Sequence, residues 1–200
     1  MNPKNTLIIC DIDGTLYEFE NGFENSTVGE SVKFNTENIA LENNLSVAEM
    51  WNCDIGPTLF LANKIGKTRA EILQRVWENV EIPENGLPGF GAGFIQKAIK
   101  MGFKLQFLTA AGHPWGTKVL NYLDTPKFLV SKLIAAHDFP RQRKDIAMTS
   151  ILVKYNVAPE NTWSIGDQKH TDIIPATKLG IKTFHITKEN PLMNFFDKFK

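Results

Sequence analysis

Two acidic clusters are the residues best suited to chemistry. Asp11-Ile12-Asp13-Gly14-Thr15 sets two carboxylates two residues apart, directly behind the apolar run 6–10. Alternation along an extended chain points Asp11 and Asp13 the same way, and Gly14 lets the backbone turn sharply after them. One carboxylate can then act as nucleophile while the other handles protons. The competing reading is an ordinary Asp-Gly turn capped by Thr15. The second cluster, Gly166-Asp167-Gln168-Lys169-His170-Thr171-Asp172, follows another apolar run at 161–165. Carboxylates from two such run ends form a hard oxygen site suited to Mg²⁺. Asp172 alone reads equally well as a helix N-cap. Two further groups fit an anionic substrate. Thr109 with Ala110 ends the run 103–108, where a hydroxyl and free amides ahead of a helix can hold a phosphate oxygen. Lys144 can neutralise the phosphate and the attacking carboxylate.

These residues need a scaffold that brings distant run ends together. Five apolar runs of strand length occur, at 6–10, 103–108, 127–130, 161–165 and 182–186. Helical patterns separate them. Phe94, Ile95, Ala98 and Ile99 share a face; Pro114 leads into Val119, Leu120 and Leu123; Ile151, Leu152 and Tyr155 mark a third helix; Asp172 opens a fourth that stops at Gly180. Strands alternating with helices predict an α/β fold with a doubly wound, Rossmann-like parallel sheet, in which ligands sit beyond the carboxyl ends of the strands.

The middle of the chain differs. Residues 16–88 carry a net charge of −7 in a chain whose 22 basic and 22 acidic residues cancel. Ser46-Val47-Ala48-Glu49 and Thr68-Arg69-Ala70-Glu71 fit capping boxes, and Ile72, Leu73, Val76, Trp77 and Val80 follow at helical spacing. Gly56-Pro57 and Gly66 bracket another helix, Gly86-Leu87-Pro88-Gly89 reads as a hinge, and residues 20–36 show no assignable pattern. The expected division is an α/β core at 1–16 and 88–200 with an all-helical cap at 17–87.

The order acidic run end, Thr109, Lys144, acidic run end resembles the four-motif pattern of the haloacid dehalogenase-like superfamily, over residues 6–16 and 88–187. The resemblance implies a phosphatase with a helical cap inserted after the first motif. Asp11 would form an aspartyl-phosphate. Asp13 would protonate the leaving oxygen and then activate water. Mg²⁺ would be held by Asp11, the main-chain carbonyl of Asp13 and Asp167, with Asp172 in support. Halide-displacing members lack an Asp at the position of Asp13, so the pattern implies phosphoryl transfer. The expected reaction is hydrolysis of a small phosphorylated metabolite. A phosphotransferase or phosphomutase of the same superfamily is the first alternative, and a phospho-acceptor binding module the second. The resemblance matches Lys144 to the third motif; many relatives carry a Lys-Pro pair before that helix, and here Pro140 precedes Arg141-Gln142-Arg143-Lys144, so an alignment on Asp145-Ile146 makes Arg141 the alternative cation.

Composition narrows the setting. A formal net charge of zero argues against a nucleic-acid binder, no apolar run approaches a membrane span, and the N-terminus does not read as a signal peptide. Two cysteines, with Cys10 inside a strand, suggest a reducing, cytoplasmic location rather than a disulfide framework. His113 reads as a helix-start residue, His170 as solvent-facing, and Tyr17 and Phe19 as pocket lining or packing beneath it.

Overall fold

The computed structural model describes residues 2–19, 21–83, 91–140 and 143–200. The expected hinge at residues 86–89, the core–cap boundary at 87/88 and Arg141 lie outside them.

Strand β1, Leu7–Cys10, is the organising element. All four residues are buried, and successive side chains serve opposite faces: Ile8 and Cys10 join one hydrophobic cluster, Leu7 and Ile9 the other. A strand apolar on both faces suits the interior of a parallel sheet. β1 is followed by helices α1 (Thr27–Glu42), α2 (Val47–Trp51), α3 (Pro57–Ile65) and α4 (Arg69–Glu78), then α5 (Gly91–Met101) and strand β2 (Lys104–Phe107). Next come α6 (His113–Tyr122), α7 (Lys127–Val130), α8 (Lys144–Tyr155), β3 (Thr162–Gly166), α9 (Ile174–Lys178) and β4 (Lys182–His185). The sheet order is β2-β1-β3-β4, all parallel, with Cys10 level with Phe107 on one side and Ile165 on the other. Chain direction across the sheet reverses at β1, so the crevice for a ligand opens beyond the ends of β1 and β3. Helices α8 and α9 cover one face through Met148, Ile151 and Ala176. α5 and the C-terminal 3₁₀ segment Leu192–Phe199 cover the other through Phe94, Phe195 and Phe196.

Three expectations need correction. Residues 127–130, read as a strand, form the short helix α7. Pro126 caps it, and only Leu129 of the run is buried while Phe128 faces solvent, so the two-sided burial a central strand requires is missing. Extended pairing beside β2 comes later, as an isolated parallel bridge between Leu108 and Ile134. The helix read as opening at Asp172 is instead a π-turn over Lys169–Ile173 that enclosess Asp172, followed by α9 with Pro175 in its first turn. Residues 20–36, left without an assignment, include the start of the sixteen-residue α1, whose Ser26 N-cap accepts from Gly29 N at 3.0 Å. Its buried stripe, Val28, Thr36, Ile39 and Ala40, is too interspersed with polar residues to show in sequence. Of the two capping boxes, Thr68–Glu71 is complete, whereas Ser46 accepts from Glu49 N and Glu49 pairs with Lys64.

Helices α1–α4 pack on one another, and α4 also packs on α6. Arg69 Nη1 donates to the carbonyls of Ala136 (2.7 Å) and Phe139 (3.1 Å), tying the start of α4 to the loop after the Ile134 bridge. Trp77 lies so close to Gly112, ahead of α6, that a Cβ there would collide with the indole. Among the described residues, no helix is long and apolar enough to cross a membrane.

Candidate active site

The ends of β1 and β3 bring the two acidic clusters together. Asp11 N donates to Ile165 O at 2.9 Å, extending the β1–β3 ladder by one bond and setting Asp11 beside the start of the second cluster. Carboxylate oxygens of Asp11, Asp167 and Asp172 then lie within 4.8 Å of one another. Gly14 has φ +74° and Gly166 sits against Asp172. A side chain at Gly14 would strike the Asp167 carboxylate, and one at Gly166 the Asp172 carboxylate. Both glycines are therefore needed for the acids to converge. The Gly14 turn is closed by Gly14 N donating to Tyr17 O and Tyr17 N to Ile12 O.

Lys144, the first residue of α8, reaches this cluster from beneath. Its Nζ donates to Asp11 Oδ1 at 2.6 Å and to Asp172 Oδ1 at 2.7 Å, with all three side chains buried. Burial opposes the ammonium charge, but the two carboxylates outweigh it and hold the pKa of Lys144 above its ordinary value. Burial pushes the Asp11 carboxyl well above the usual range, opposed by Lys144. Asp172 also accepts from Gln168 N at 3.2 Å through Oδ2, so both its oxygens are engaged. Asp167 differs: its Oδ1 is buried without a hydrogen-bond partner among the described residues, and burial, reinforced by Asp172, raises its pKa to about 6. Its main-chain carbonyl accepts from His185 Nε2 at 2.8 Å, and His185 O in turn accepts from Asn190 Nδ2 at 2.7 Å.

Asp13 stands apart from the metal-like cluster. Trp115 Nε1 donates to its Oδ1 at 2.6 Å and Thr109 Oγ1 to its Oδ2 at 2.8 Å. Burial raises its pKa, partly countered by these two bonds. The Thr109 hydroxyl also accepts from Ala111 N, so in this arrangement it serves Asp13 and its own loop rather than the open cleft. Sequence reasoning missed Trp115; its place in the first turn of the helix after Thr109 was the available signal. The network of His185 and Asn190 behind Asp167 had no local signature.

A cleft of about 770 Å³ opens over the site, with Asp13, Gly14, Ala110 and Asp167 in its wall and Phe19, Phe23 and Trp77 toward the helical segment. Phe19 thus lines the cleft, while Tyr17 is buried edge-on against Trp115. Of the described acids at 17–83, only Glu18 lines the cleft, so the net charge of that segment acts mostly elsewhere. His113 starts α6 and pairs with Asp138 at 2.8 Å, His170 is exposed, and Cys10 is a buried strand residue.

The HAD-hydrolase-like family model matches residues 143–190, from the Lys144 helix through the second acidic cluster. No curated protein matches the chain. Among solved structures, a HAD phosphatase from Thermococcus onnurineus is 15% identical, with 97% of each chain covered and a TM-score of 0.59. A HAD family enzyme from Bacteroides thetaiotaomicron, in complex with magnesium and inorganic phosphate, is 14% identical over 96% of this chain and 98% of that one, with a TM-score of 0.57. A predicted phosphoglycolate phosphatase from Haemophilus somnus is 14% identical over 94% of this chain and 88% of that one, with a TM-score of 0.58. At these identities the likeness is one of fold. Over residues 143–190 the chain is thus similar to HAD-hydrolase-like proteins, and its parallel sheet, with the acids gathered at the switch point, is similar in fold to the solved HAD structures.

Proposed function

We propose that the chain is a Mg²⁺-dependent phosphomonoester hydrolase acting on a small phosphorylated metabolite through an aspartyl-phosphate. The observation that carries this reading is the convergence of Asp11, Asp167 and Asp172 at adjacent strand ends, with Lys144 bridging Asp11 and Asp172.

The donor set fits a hard divalent cation. It is all oxygen, and the buried Oδ1 of Asp167, with no hydrogen-bond partner among the described residues, is free to serve as a ligand atom. Asp11, Asp167 and the main-chain carbonyl of Asp13 would hold Mg²⁺, with Asp172 supporting from behind because Lys144 and Gln168 N occupy its oxygens. When bound, the ion neutralises phosphate charge and orients the phosphoryl group for in-line attack.

Lys144 holds Oδ1 of Asp11, which leaves Oδ2 to attack phosphorus. The Asp11 Oδ2–P bond forms as the bond from phosphorus to the ester oxygen breaks. Asp13 gives that departing oxygen its proton. Water then attacks the aspartyl-phosphate, Asp13 takes its proton, and phosphate leaves with Asp11 restored as a carboxylate. The amides around Ala110 line the cleft where phosphate oxygens would rest, and Lys144 offsets charge on Asp11 as it reacts. Thr109 would contribute to phosphate binding only with its hydroxyl turned from Asp13. Residues 17–87 would act as the cap over a core of 1–16 and 88–200, excluding water and contacting the leaving group. A cleft of about 770 Å³ suits a small ester rather than a polymer. A cytoplasmic enzyme is consistent with its two free cysteines.

The test is phosphate release from p-nitrophenyl phosphate with and without Mg²⁺. Turnover should require the ion, and Asp11→Asn should lose at least about a thousandfold in kcat. An Asp11→Asn protein as active as the wild type would overturn the reading. Adding sugar acceptors distinguishes hydrolysis from transfer, because a transferase would pass phosphorus to the sugar rather than to water.

A further inference from the structure

We propose that Trp115 is a positioning residue for the proton-transferring Asp13, an inference that rests on the phosphatase reading. Trp115 is fully buried, and its indole N–H spends its single hydrogen bond on Asp13 Oδ1 at 2.6 Å. A buried indole commonly finds some acceptor, so the choice of acceptor carries the information. The fold does not force such pairing: Trp163 Nε1 is buried without a hydrogen-bond partner among the described residues. The Trp115 ring has little freedom to release Asp13. It lies edge-on to Tyr17 at 5.5 Å, stacks on Phe19 at 6.3 Å and meets Trp77 at 6.0 Å. Those contacts come from the turn after Asp13 and from α4, so the ring is clamped by the elements that flank the cleft.

The donor chemistry assigns a role to each oxygen of Asp13. An indole N–H only donates, so Oδ1 is held as an acceptor throughout the cycle. The Thr109 hydroxyl, which both donates and accepts, sits at 2.8 Å from Oδ2 and accommodates that oxygen with or without a proton. Trp115 therefore fixes the carboxyl plane and leaves Oδ2 as the oxygen that gives and receives the proton. Without the N–H, the carboxyl rotates and the proton is misplaced. General acid help matters most when the leaving oxygen is strongly basic and least when it is a good leaving group.

The experiment measures kcat/KM of wild type and Trp115→Phe across phosphate monoesters ranging from dinitrophenyl to simple alkyl leaving groups. Trp115→Phe keeps the aromatic packing and deletes the donor. Loss of about tenfold to a hundredfold is expected for alkyl phosphates, with dinitrophenyl phosphate within about threefold of wild type. A uniform loss across the series, or no loss, overturns the proposal while leaving the phosphatase reading intact. Failure of the wild type to turn over any ester overturns both. If Trp115→Phe does not fold, site-specific replacement of Trp115 by its benzothienyl analogue retains the shape of the indole, removes only the N–H, and must show the same split.

Discussion

Asp167→Asn should make the metal-free protein more stable while removing its response to Mg²⁺. The Asp167 carboxylate is pressed against Gly14, has a buried oxygen without a donor, and faces Asp172. Its pKa rises from 3.8 to about 6. Each unit corresponds to about 1.4 kcal/mol, which sets a ceiling of about 3 kcal/mol on the cost of keeping this group ionised. The side chain is only partly buried, and solvent screening reduces the realistic figure to about 1–2 kcal/mol. The sign follows from the raised value: the folded state binds this proton more tightly than the unfolded chain. The deficit is absent below the ordinary carboxylate range, develops between about 4 and 6, and is complete above 6. In chelator at pH 7.5, Asp167→Asn should therefore melt about 3–6 °C above wild type, with the gain shrinking as pH falls toward 4. Mg²⁺ should raise the melting temperature of the wild type and leave the variant unmoved. Thermal unfolding followed by circular dichroism, with and without Mg²⁺ at several pH values, reads all of this. A variant no more stable than wild type at pH 7.5 in chelator, or a gain undiminished at low pH, would refute the reasoning.

Lys144→Met should act in the opposite direction. It leaves Asp11 and Asp172 buried without their shared cation, at an expected cost of about 3–5 kcal/mol in denaturant unfolding at neutral pH. The cost should fall at low pH, because burial already pushes the Asp11 carboxyl upward and protonation relieves the unpaired charge. Gly14→Ala should lose about 1–2 kcal/mol through its left-handed backbone, and the new methyl must also displace the Asp167 carboxylate. The Mg²⁺ concentration for half-maximal turnover should then rise, measured by metal titration of phosphatase activity.

The legible parts of this protein were those in which neighbouring residues supply their own explanation. Residues 6–10 are apolar on both faces and flow into two acids and a glycine, so strand, turn and site could be read together. Thr68 and Glu71 are three apart and close a full capping box, which fixed the start of α4. The run 127–130 misled because apolar strand length alone does not distinguish a strand from a helical turn; burial decides, and only Leu129 is buried there. α1 was hidden for the converse reason, since its contacts with α2, α3 and α4 hold a helix whose own pattern is weak.

The α/β alternation, the order of Asp11, Thr109, Lys144 and Asp167, and the helical character of the middle segment can all be read along the chain. These are local properties, set by periodicity, caps and turn residues within a few positions of one another. How the groups divide among themselves depends on folding. Sheet order put β3 rather than β2 on the acid side of β1, so Asp167 and Asp172 share a cluster with Asp11. The entry of α8 aimed Lys144 between two carboxylates, and the packing of α6 against the Asp13 turn gave that acid an indole partner 102 residues away. Such pairings depend on distances through space between residues far apart in the chain, and no local pattern encodes them.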